Sequence, residues 1–339
     1  MMKEIIPNLY LIELPLPNNP LGYVNACLVR GDNGCLLIDT GWDTEGAFNS
    51  LKTQLSEIGA RVEDISQIVA THIHPDHYGL AGRLRRLSQA RISLHHLERD
   101  LVQTVYSDVG KLIQQGLEWM QINGVSAAEL ALGLSQLRAT RPEMVQFTAA
   151  VLPDTVLRGD EAISVGSFTF KVLWTPGHSP GHICLYEPNH GILISGDHIL
   201  PDVNTDVSLE PQSGPNPLGD YLNSLSEIKQ LGISLTLPGH GHPFTGLERR
   251  IDEIIQNQRQ RGSEILDKVK PGAKTASQIS GELTWMRNAN QVNWQDLNPW
   301  DRRLALLKTL AHLEAMRFGG KVEKSTQGGI IYYQAIGAG

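Results

Sequence analysis

The sequence predicts an α/β fold with a helical insertion and a small C-terminal domain. Short apolar segments typical of strands alternate with helical patterns up to residue 96, and the alternation resumes at residue 151. Residues 97–150 carry several helical patterns and no convincing strand. We therefore expect a first domain over residues 1–245, interrupted by the insertion as a helical cap, and a second domain over residues 246–339.

The composition is typical of a globular protein with a large core. The chain has 339 residues, of which 41% are apolar, and a net charge of −7, which argues against a nucleic-acid binder as a whole. Three cysteines form a sparse, odd set, so we expect core thiols and a reducing compartment rather than disulfides. No segment approaches the roughly 20 apolar residues of a membrane helix, and the N-terminus lacks a signal-peptide core. These features predict a cytoplasmic protein without membrane contact.

The first predicted domain can be traced through its hydrophobic periodicity. Phe48 and Leu51 belong to an apolar set at helical spacing, and the glycines of residues 31–34 indicate a turn between two strands. We expect strands over residues 9–14, 24–29, 35–38, 68–70, 91–94, 168–174, 191–195 and 233–237, and helices over residues 44–58, 79–87, 220–231 and 247–269.

Three histidines and an aspartate lie within six positions directly after the strand that ends at residue 70. His72 and His74 are two apart on extended chain and can point the same way, whereas Asp76 and His77 follow a turn and can face a second point. Neutral imidazole and carboxylate together suit zinc, and also iron or manganese. The alternative, a surface loop that happens to be rich in histidine, has to be weighed against the rest of the chain.

Further candidate ligands follow three later strand-like segments. His178 comes after residues 168–174, Asp197 after residues 191–195, and His240 after residues 233–237. Each lies in a glycine-containing loop directly after its strand-like segment.

The pattern His-x-His-x-Asp-His with these downstream residues resembles the signature of the metallo-β-lactamase superfamily, and the match covers roughly residues 5–245. The resemblance implies a four-layer αββα sandwich with a glyoxalase II-like dinuclear site. It implies two divalent ions, with zinc as the expected metal and iron or manganese as alternatives. The ligands would be His72, His74 and His178 for one ion, Asp76, His77 and His240 for the other, and Asp197 as the bridge.

The chemistry implied by that resemblance is hydrolysis. Two ions can hold a hydroxide that attacks a carbonyl or phosphoryl centre, and Asp76 is the catalytic candidate that holds it and passes on its proton. Asp197 indicates the glyoxalase II, lactonase, thioesterase and nuclease branches rather than antibiotic hydrolysis. Outer contacts or substrate contacts are assigned to Asp39, Tyr78, His198 and His242, with a helix cap as the alternative for Asp39 and structural hydrogen bonds for the two histidines.

The helical insertion favours a small-molecule substrate. A cap with apolar side chains suits an ester, thioester or lactone better than an exposed polymer, although these side chains could simply pack helix against helix. The alternative is a metal-dependent endoribonuclease that holds single-stranded RNA with its C-terminal domain. A single iron doing sulfur oxidation and a sensing protein with little turnover remain open as well.

The C-terminal residues 246–339 resemble a small winged-helix domain. Helices are predicted over residues 275–283 and 301–318, with Asp301 as the cap of the second, followed by a hairpin over residues 321–333. The 14 Lys and Arg against 10 Asp and Glu of this part give a net charge of +4, which is weak for nucleic acid. Packing and homo-oligomerisation are the expected roles.

Overall fold

The structure, a computed structural model, describes residues 2–16, 19–107, 109–140, 151–287 and 290–337. The chain divides into two units, of which the first comprises the described residues of Met1–Ser107, Phe147–Thr205 and Ser224–Ile251. The second comprises the described residues of Asp108–Gln146, Asp206–Asn223 and Asp252–Gly339.

The first unit contains a seven-stranded mixed sheet whose strands lie side by side in chain order. The first four strands pair antiparallel and the last four pair parallel. Its strands are β1 (Met2–Ile6), β2 (Leu9–Pro15), β3 (Tyr23–Gly31), β4 (Gly34–Ile38), β5 (Ile65–Val69), β6 (Arg91–His95) and β7 (Thr155–Leu157).

A second sheet of five strands has the order β12-β11-β10-β9-β8. Only β11 and β12 pair parallel, and the other neighbours are antiparallel. Its strands are β8 (Ala162–Val165), β9 (Phe168–Trp174), β10 (Ile183–Glu187), β11 (Ile192–Gly196) and β12 (Leu235–Pro238).

The two sheets pack face to face through one apolar cluster. It joins Leu11 and Leu36 of the first sheet to Phe170 and Leu185 of the second, all at most 3% exposed. Burying such side chains contributes roughly 1.5–3 kcal/mol each, which makes this cluster the main support of the sandwich. Strands β10 and β11 are buried along their whole length, so the outer face of the second sheet is covered as well.

Helices cover the outer face of the first sheet. They are α1 (Glu45–Glu57), α2 (Pro75–Tyr78), α3 (Ala81–Ser88) and α4 (His96–Ser107). Leu51 and Leu84 of these helices share a second apolar cluster with Ile12 and Leu37 of the strands. Helix α1 begins after Thr44, whose hydroxyl accepts from the amide of Ala47 at 3.1 Å. This arrangement confirms the predicted α/β fold, with two packed sheets and helices on the outer face of the first.

The second unit consists mainly of helices and two hairpins. The helices are α5 (Val109–Ile122), α6 (Ala127–Thr140), α9 (Ala276–Gly281) and α10 (Pro299–Phe318), and the hairpins are β13 (Trp285–Arg287) with β14 (Asn290–Val292) and β15 (Val322–Gln327) with β16 (Ile330–Ala335). Two further helices, α7 (Pro217–Ile228) and α8 (Leu247–Val269), run through residues of both units.

Several expectations need correction. Helix α3 agrees with the helix predicted over residues 79–87, but an unpredicted short helix, α2, precedes it, so Asp76 and His77 lie on a helical turn. Helix α10 begins earlier than predicted and is capped by Asn298, whose side chain accepts from the amide of Asp301 at 2.9 Å. Strands β1, β7, β8 and β10 were not predicted individually, because their short runs lack a distinctive alternation.

The predicted domain boundaries remain a prediction. Helices α4 to α6 occupy most of the predicted insertion, whose last part, residues 141–150, lies outside the described residues. The likeness of the C-terminal part to a winged-helix domain also stays a prediction, although its helices and terminal hairpin are present. No helix of the described residues has the length and apolar character needed to cross a membrane.

Candidate metal centre

The candidate metal centre lies at one edge of the sandwich, because its residues follow the carboxyl ends of strands. Strands β9, β11 and β12 run in the same direction, so the loops after them meet at one edge of the second sheet. These loops carry His178, Asp197 and His240, and the loop and turn after β5 of the first sheet face them with His72, His74, Asp76 and His77.

Three imidazoles form the first group of this centre. Nε2 of His72 lies 2.9 Å from Nδ1 of His74, and Nε2 of His178 lies 3.2 and 3.0 Å from these two nitrogens. In tetrahedral zinc sites with bonds of 2.0–2.1 Å, neighbouring nitrogens lie about 3.3 Å apart. The spacing of the three nitrogens therefore fits one cation.

The second group combines two imidazoles with two carboxylates. Nε2 of His240 lies 3.3 Å from Oδ2 of Asp76 and 3.5 Å from Oδ1 of Asp197. Nε2 of His77 lies 3.9 and 3.4 Å from the same carboxylates. The group Asp76, His77 and His240 meets the spacing required to hold a metal ion, as do His72, His74 and His178.

Asp197 connects the two groups. Its Oδ1 faces His77 and His240, whereas its Oδ2 lies 3.7 Å from Nε2 of His178. His72, His77 and Asp197 form a third cluster with metal-binding spacing. One carboxylate therefore reaches both groups, as expected of a bridging ligand.

Hydrogen bonds on the outer side fix which nitrogen of each ring faces the centre. Asp39 accepts from the Thr71 hydroxyl at 2.9 Å, so this hydroxyl accepts from Nδ1 of His72 at 3.0 Å and leaves Nε2 without a proton. Nδ1 of His77 donates to Asp39 at 2.7 Å, and Nδ1 of His240 donates to the carbonyl of Tyr23 at 2.8 Å. In all three rings Nε2 is the nitrogen that faces the centre.

The backbone around the centre is unusually tight. Asp39 has φ of 61°, a left-handed conformation that is uncommon outside glycine and occurs where surrounding contacts enforce it. A Cβ on Gly239 would lie 2.4 Å from Oδ1 of Asp197 and 2.8 Å from Cε1 of His77. Asn25 holds the same loop by donating to the carbonyls of Pro238 and Gly241 at 2.9 and 2.8 Å.

The protein environment shifts the pKa values of the two groups in different directions. Burial, reinforced by the imidazole of His178, lowers the pKa of His74 to about 4. Burial also opposes charge on His240, but the carboxylate of Asp197 outweighs it and raises the pKa of His240 to about 10. Burial would raise the pKa of Asp76, and the neighbouring His77 and His240 instead lower it to about 2. The first group thus presents neutral lone pairs and the second presents anionic oxygens.

Divalent cations fit these side chains. Among the described residues, Nε2 of His77 and Oδ1 of Asp197 are buried without a hydrogen-bond partner, which is costly for polar atoms. Three lone-pair-bearing nitrogens also converge within 3.2 Å in the first group. A cation in each group would satisfy these atoms, and imidazole with carboxylate suits zinc.

The outer residues predicted from the sequence differ in their surroundings. Asp39 lies beside His77 and Thr71, and helix α1 is capped by Thr44 instead. Tyr78 is buried, and its hydroxyl donates to the carbonyl of Val151 at 2.6 Å. The assignment of Tyr78 as a substrate contact remains a prediction.

The two histidines predicted beside the ligands also differ from each other. His198 is buried with Nε2 3.2 Å from the hydroxyl of Ser224, and burial lowers its pKa to about 3. The side chain of His242 is 65% exposed and lies 3.5 Å from Asp202. The side chain of His198 is therefore buried in the protein, whereas that of His242 faces solvent.

Sequence reasoning missed two buried side chains at this centre. His182 accepts from the amide of Asp197 at 3.2 Å, and its other nitrogen lies 2.8 Å from the Thr175 hydroxyl. Glu98 accepts from the amides of Ile73 and Gly181. The proximity of His182 to His178 was visible in the sequence, but nothing marked Glu98, because the amides that it accepts from lie far from it along the chain.

These features define the class of protein. A profile of the metallo-β-lactamase superfamily matches residues 19–240, which span the strands and loops that bring the centre together. The chain belongs to the metallo-β-lactamase superfamily, whose members bind divalent metals.

Particular relatives are similar along most of the chain. A crystal structure of a metallo-β-lactamase family protein from Thermus thermophilus has a TM-score of 0.79 and 30% identity, covering 98% of this chain and 100% of that one. The probable metallo-hydrolase YqjP of Bacillus subtilis is 25% identical over 96% of this chain and 97% of its own. The human acyl-coenzyme A thioesterase MBLAC2 is 29% identical over 66% of this chain and 75% of its own.

Proposed function

We propose that this protein is a metal-dependent hydrolase of acyl thioesters with a glyoxalase II-like dinuclear centre. The observation that carries the proposal is the position of Asp197, whose two oxygens face the two groups separately. Zinc is the proposed metal, because the donors are imidazoles and carboxylates only. The proposed ligands are His72, His74 and His178 for one ion and Asp76, His77 and His240 for the other, with Asp197 between them.

The proposed chemistry is attack of water on the thioester carbonyl, which gives a carboxylic acid and a free thiol. Two bound divalent ions supply a polarised carbonyl and a water that loses its proton near neutral pH. Asp76 is the proposed proton acceptor, because its carboxylate belongs to the anionic group and is partly exposed to solvent. The bond between the acyl carbon and sulfur breaks, and the departing thiolate takes up a proton from solvent.

Similarity to a human acyl-coenzyme A thioesterase supports thioesters within the broader class of esters, thioesters and lactones. The presence of a carboxylate at residue 197, which serves both groups, supports a dinuclear hydrolase as well. Among the described residues, no observation on the second unit favours RNA as the substrate.

The test is turnover of a substrate panel by the full chain after loading with Zn²⁺. Acyl-coenzyme A thioesters of increasing chain length, aryl esters and lactones are compared by kcat/KM, with thiol release as the readout for thioesters. We expect thioesters to be preferred. We expect Asp197→Asn to lower kcat at least about 100-fold, because losing a group that merely orients a metal ligand already costs about 10- to 100-fold and Asp197 is proposed as a ligand itself.

His190→Ala serves as the matched control. His190 is a half-exposed histidine in the turn between β10 and β11, at the opposite end of these strands from the centre, so its removal leaves turnover unchanged. Absence of turnover on every thioester by metal-loaded protein would contradict the proposal. Equal turnover by the Asp197→Asn variant would contradict the role of that carboxylate.

A further inference from the structure

We infer that Glu98, on helix α4, is a positioning residue that sets the geometry of the three-histidine group. The inference rests on the proposed function, because it concerns how the chain holds the same metal centre. Glu98 lies 24 residues beyond His74 and 80 residues before His178, and no sequence motif connects it to either.

The carboxylate of Glu98 ties together the two loops that supply this group. One oxygen, Oε2, accepts from the amide of Ile73 at 3.0 Å, and the other, Oε1, accepts from the amide of Gly181 at 2.7 Å. The side chain is fully buried. Hydrogen bonds from backbone amides to a carboxylate are among the stronger ones, and inside the protein they are not weakened by competing water.

These two amides lie close in sequence to the three imidazoles, so holding the amides also positions the rings. Ile73 lies between His72 and His74, so fixing its amide fixes the extended backbone from which both rings project to the same side. Gly181 belongs to the loop of His178 and lies three residues after it. One buried carboxylate therefore sets the distance between the two loops.

Gly181 supplies an independent observation for this contact. A Cβ at this position would lie 2.8 Å from Cγ of Glu98, 2.8 Å from the amide nitrogen of Glu98 and 2.7 Å from Nδ1 of His95. The loop of His178 therefore approaches α4 so closely that any side chain larger than that of glycine would collide with it. The close approach places the loop amide within hydrogen-bond distance of the carboxylate.

Only a carboxylate offers two acceptors in this arrangement. Glutamine would direct an amide N–H group at one of the two backbone N–H groups, and the two donors would repel each other. The two loops would then move apart at the group whose three nitrogens lie within 3.2 Å of one another. The affinity of that group for a cation should fall, whereas the group of Asp76, His77 and His240 keeps its own contacts.

The experiment is titration of the metal-free full chain with Co²⁺, followed by calorimetry and by the visible absorption of the bound ion. For the unsubstituted protein we expect two binding events. For Glu98→Gln we expect one event to weaken about 10- to 100-fold, the effect typical of losing a group that orients a metal ligand, and the other to remain within twofold. Glu98→Asp, whose shorter side chain can reach one amide at a time, should give an intermediate affinity.

Glu187→Gln is the matched control. Glu187 is also fully buried, and its carboxylate also accepts from two backbone amides, those of Asn189 and His190 at 3.3 and 2.8 Å. These belong to the turn between β10 and β11, away from the metal centre. The control should lose stability without a change in Co²⁺ affinity.

The outcomes separate this inference from the proposed function. Unchanged Co²⁺ affinity in both Glu98 variants would overturn the inference while leaving the metal centre intact. Loss of the fold in both variants, or an equal loss of affinity in the Glu187→Gln control, would overturn it too, because the role of Glu98 would then be general stabilisation. An unsubstituted chain that binds no divalent ion would instead overturn the metal centre itself.

Discussion

Thr71 shows how the orientation of a candidate ligand depends on a residue that touches no metal site itself. Its hydroxyl lies between Nδ1 of His72 and the carboxylate of Asp39, and its amide donates to the same carboxylate at 2.7 Å. Asp39 also accepts a hydrogen bond from Nδ1 of His77. One hydroxyl and one carboxylate thus orient an imidazole from each group, and Asp39 adopts a left-handed backbone to do so.

We predict that Thr71→Val weakens Zn²⁺ binding about 10- to 100-fold, because valine keeps the shape of threonine but leaves the buried Nδ1 of His72 without its partner. Competition with a chromophoric chelator measures the affinity. Thr71→Ser retains the hydroxyl and should bind within severalfold of the unsubstituted protein. Equal affinities for the valine and serine variants would contradict this account.

At the scale of residues, sequence reasoning reached the side chains that carry the chemistry and missed those that orient them. His72, His74, Asp76 and His77 stand together in the sequence, so their chemistry is visible without a structure. The partners Glu98, His182 and the carbonyl of Tyr23 act through hydrogen bonds to groups distant along the chain or to the backbone. Side-chain identity alone carries no signal for such contacts.

At the scale of elements, the loop after β12 has little freedom to change. Its residue Gly239 fits between Asp197 and His77, and its amide donates to the carbonyl of Gly196 at 2.7 Å. Because the ends of β11 and β12 are joined in this way, Asp197 and His240 reach the centre together. The glycine was visible in the sequence, but its neighbours were not.

The boundaries of elements were predicted best where side-chain spacing alone decides them. Strand β9 and helix α8 have the predicted ends, since both show a long, regular apolar pattern. The start of α10 was wrong, because both Asn298 and Asp301 are good caps and only the backbone shows which side chain accepts the amide hydrogen bond.

A charged network attaches the terminal hairpin of the second unit to α10. Glu314 of α10 accepts from Lys324 of β15 and from the hydroxyl of Tyr333 of β16, at 2.9 and 2.8 Å, and also from Arg317 at 2.6 Å. Glu314 is buried, which alone would raise the pKa of its carboxyl. The three donors outweigh burial and hold this pKa below its usual value of 4.5.

We predict that Glu314→Gln lowers the free energy of unfolding at pH 7 by about 2 kcal/mol, the scale of hydrogen bonds to a charged group. A carboxyl whose pKa is lower in the folded than in the unfolded chain stabilises above pH 4.5 and loses this contribution as the pH falls through its folded pKa. The difference between the two proteins should therefore shrink in acid. Denaturant unfolding at pH 7 and pH 4 measures it.

The exposed Glu323 of the same hairpin provides the control, since Glu323→Gln should change the free energy of unfolding by less than about 0.5 kcal/mol. A difference between Glu314→Gln and the unsubstituted protein that stays constant from pH 7 to pH 4 would contradict the role of the carboxylate charge.

At the scale of the whole molecule, the two units draw on segments that lie far apart in the sequence. Residues 109–140, which lie between β6 and β7 of the first sheet in the sequence, belong to the same unit as the C-terminal helices. The amide of Ser277 donates to the carbonyl of Asn123 at 3.1 Å. The change in composition near residue 246 led to the prediction of a separate C-terminal domain, which remains a prediction. The composition could not indicate that residues 109–140 belong to the same unit as the C-terminal helices, because the packing of distant helices depends on complementary surfaces rather than on local sequence pattern.

If the proposed metal centre binds Zn²⁺, the stability of the folded chain should depend on that ion. The imidazoles and carboxylates around Asp197 converge only in the folded chain, so bound Zn²⁺ should stabilise that chain by about 2.7 kcal/mol for a free concentration 100 times the dissociation constant. Removing metal with a chelator should therefore lower the midpoint of thermal unfolding, and added Zn²⁺ should restore it.

Hydrogen exchange locates that effect within the chain. Without metal, amides of residues 71–79 and 175–182 should exchange faster, since the loops that carry the imidazoles lose the cation that joins them. Amides of β15 and β16 in the second unit should keep their protection, because their stability depends on the Glu314 network rather than on the metal. Equal protection of the ligand loops with and without metal would show that the hydrogen bonds of Glu98, Asp39 and Asn25 hold them unaided, and that cation binding contributes little to the fold.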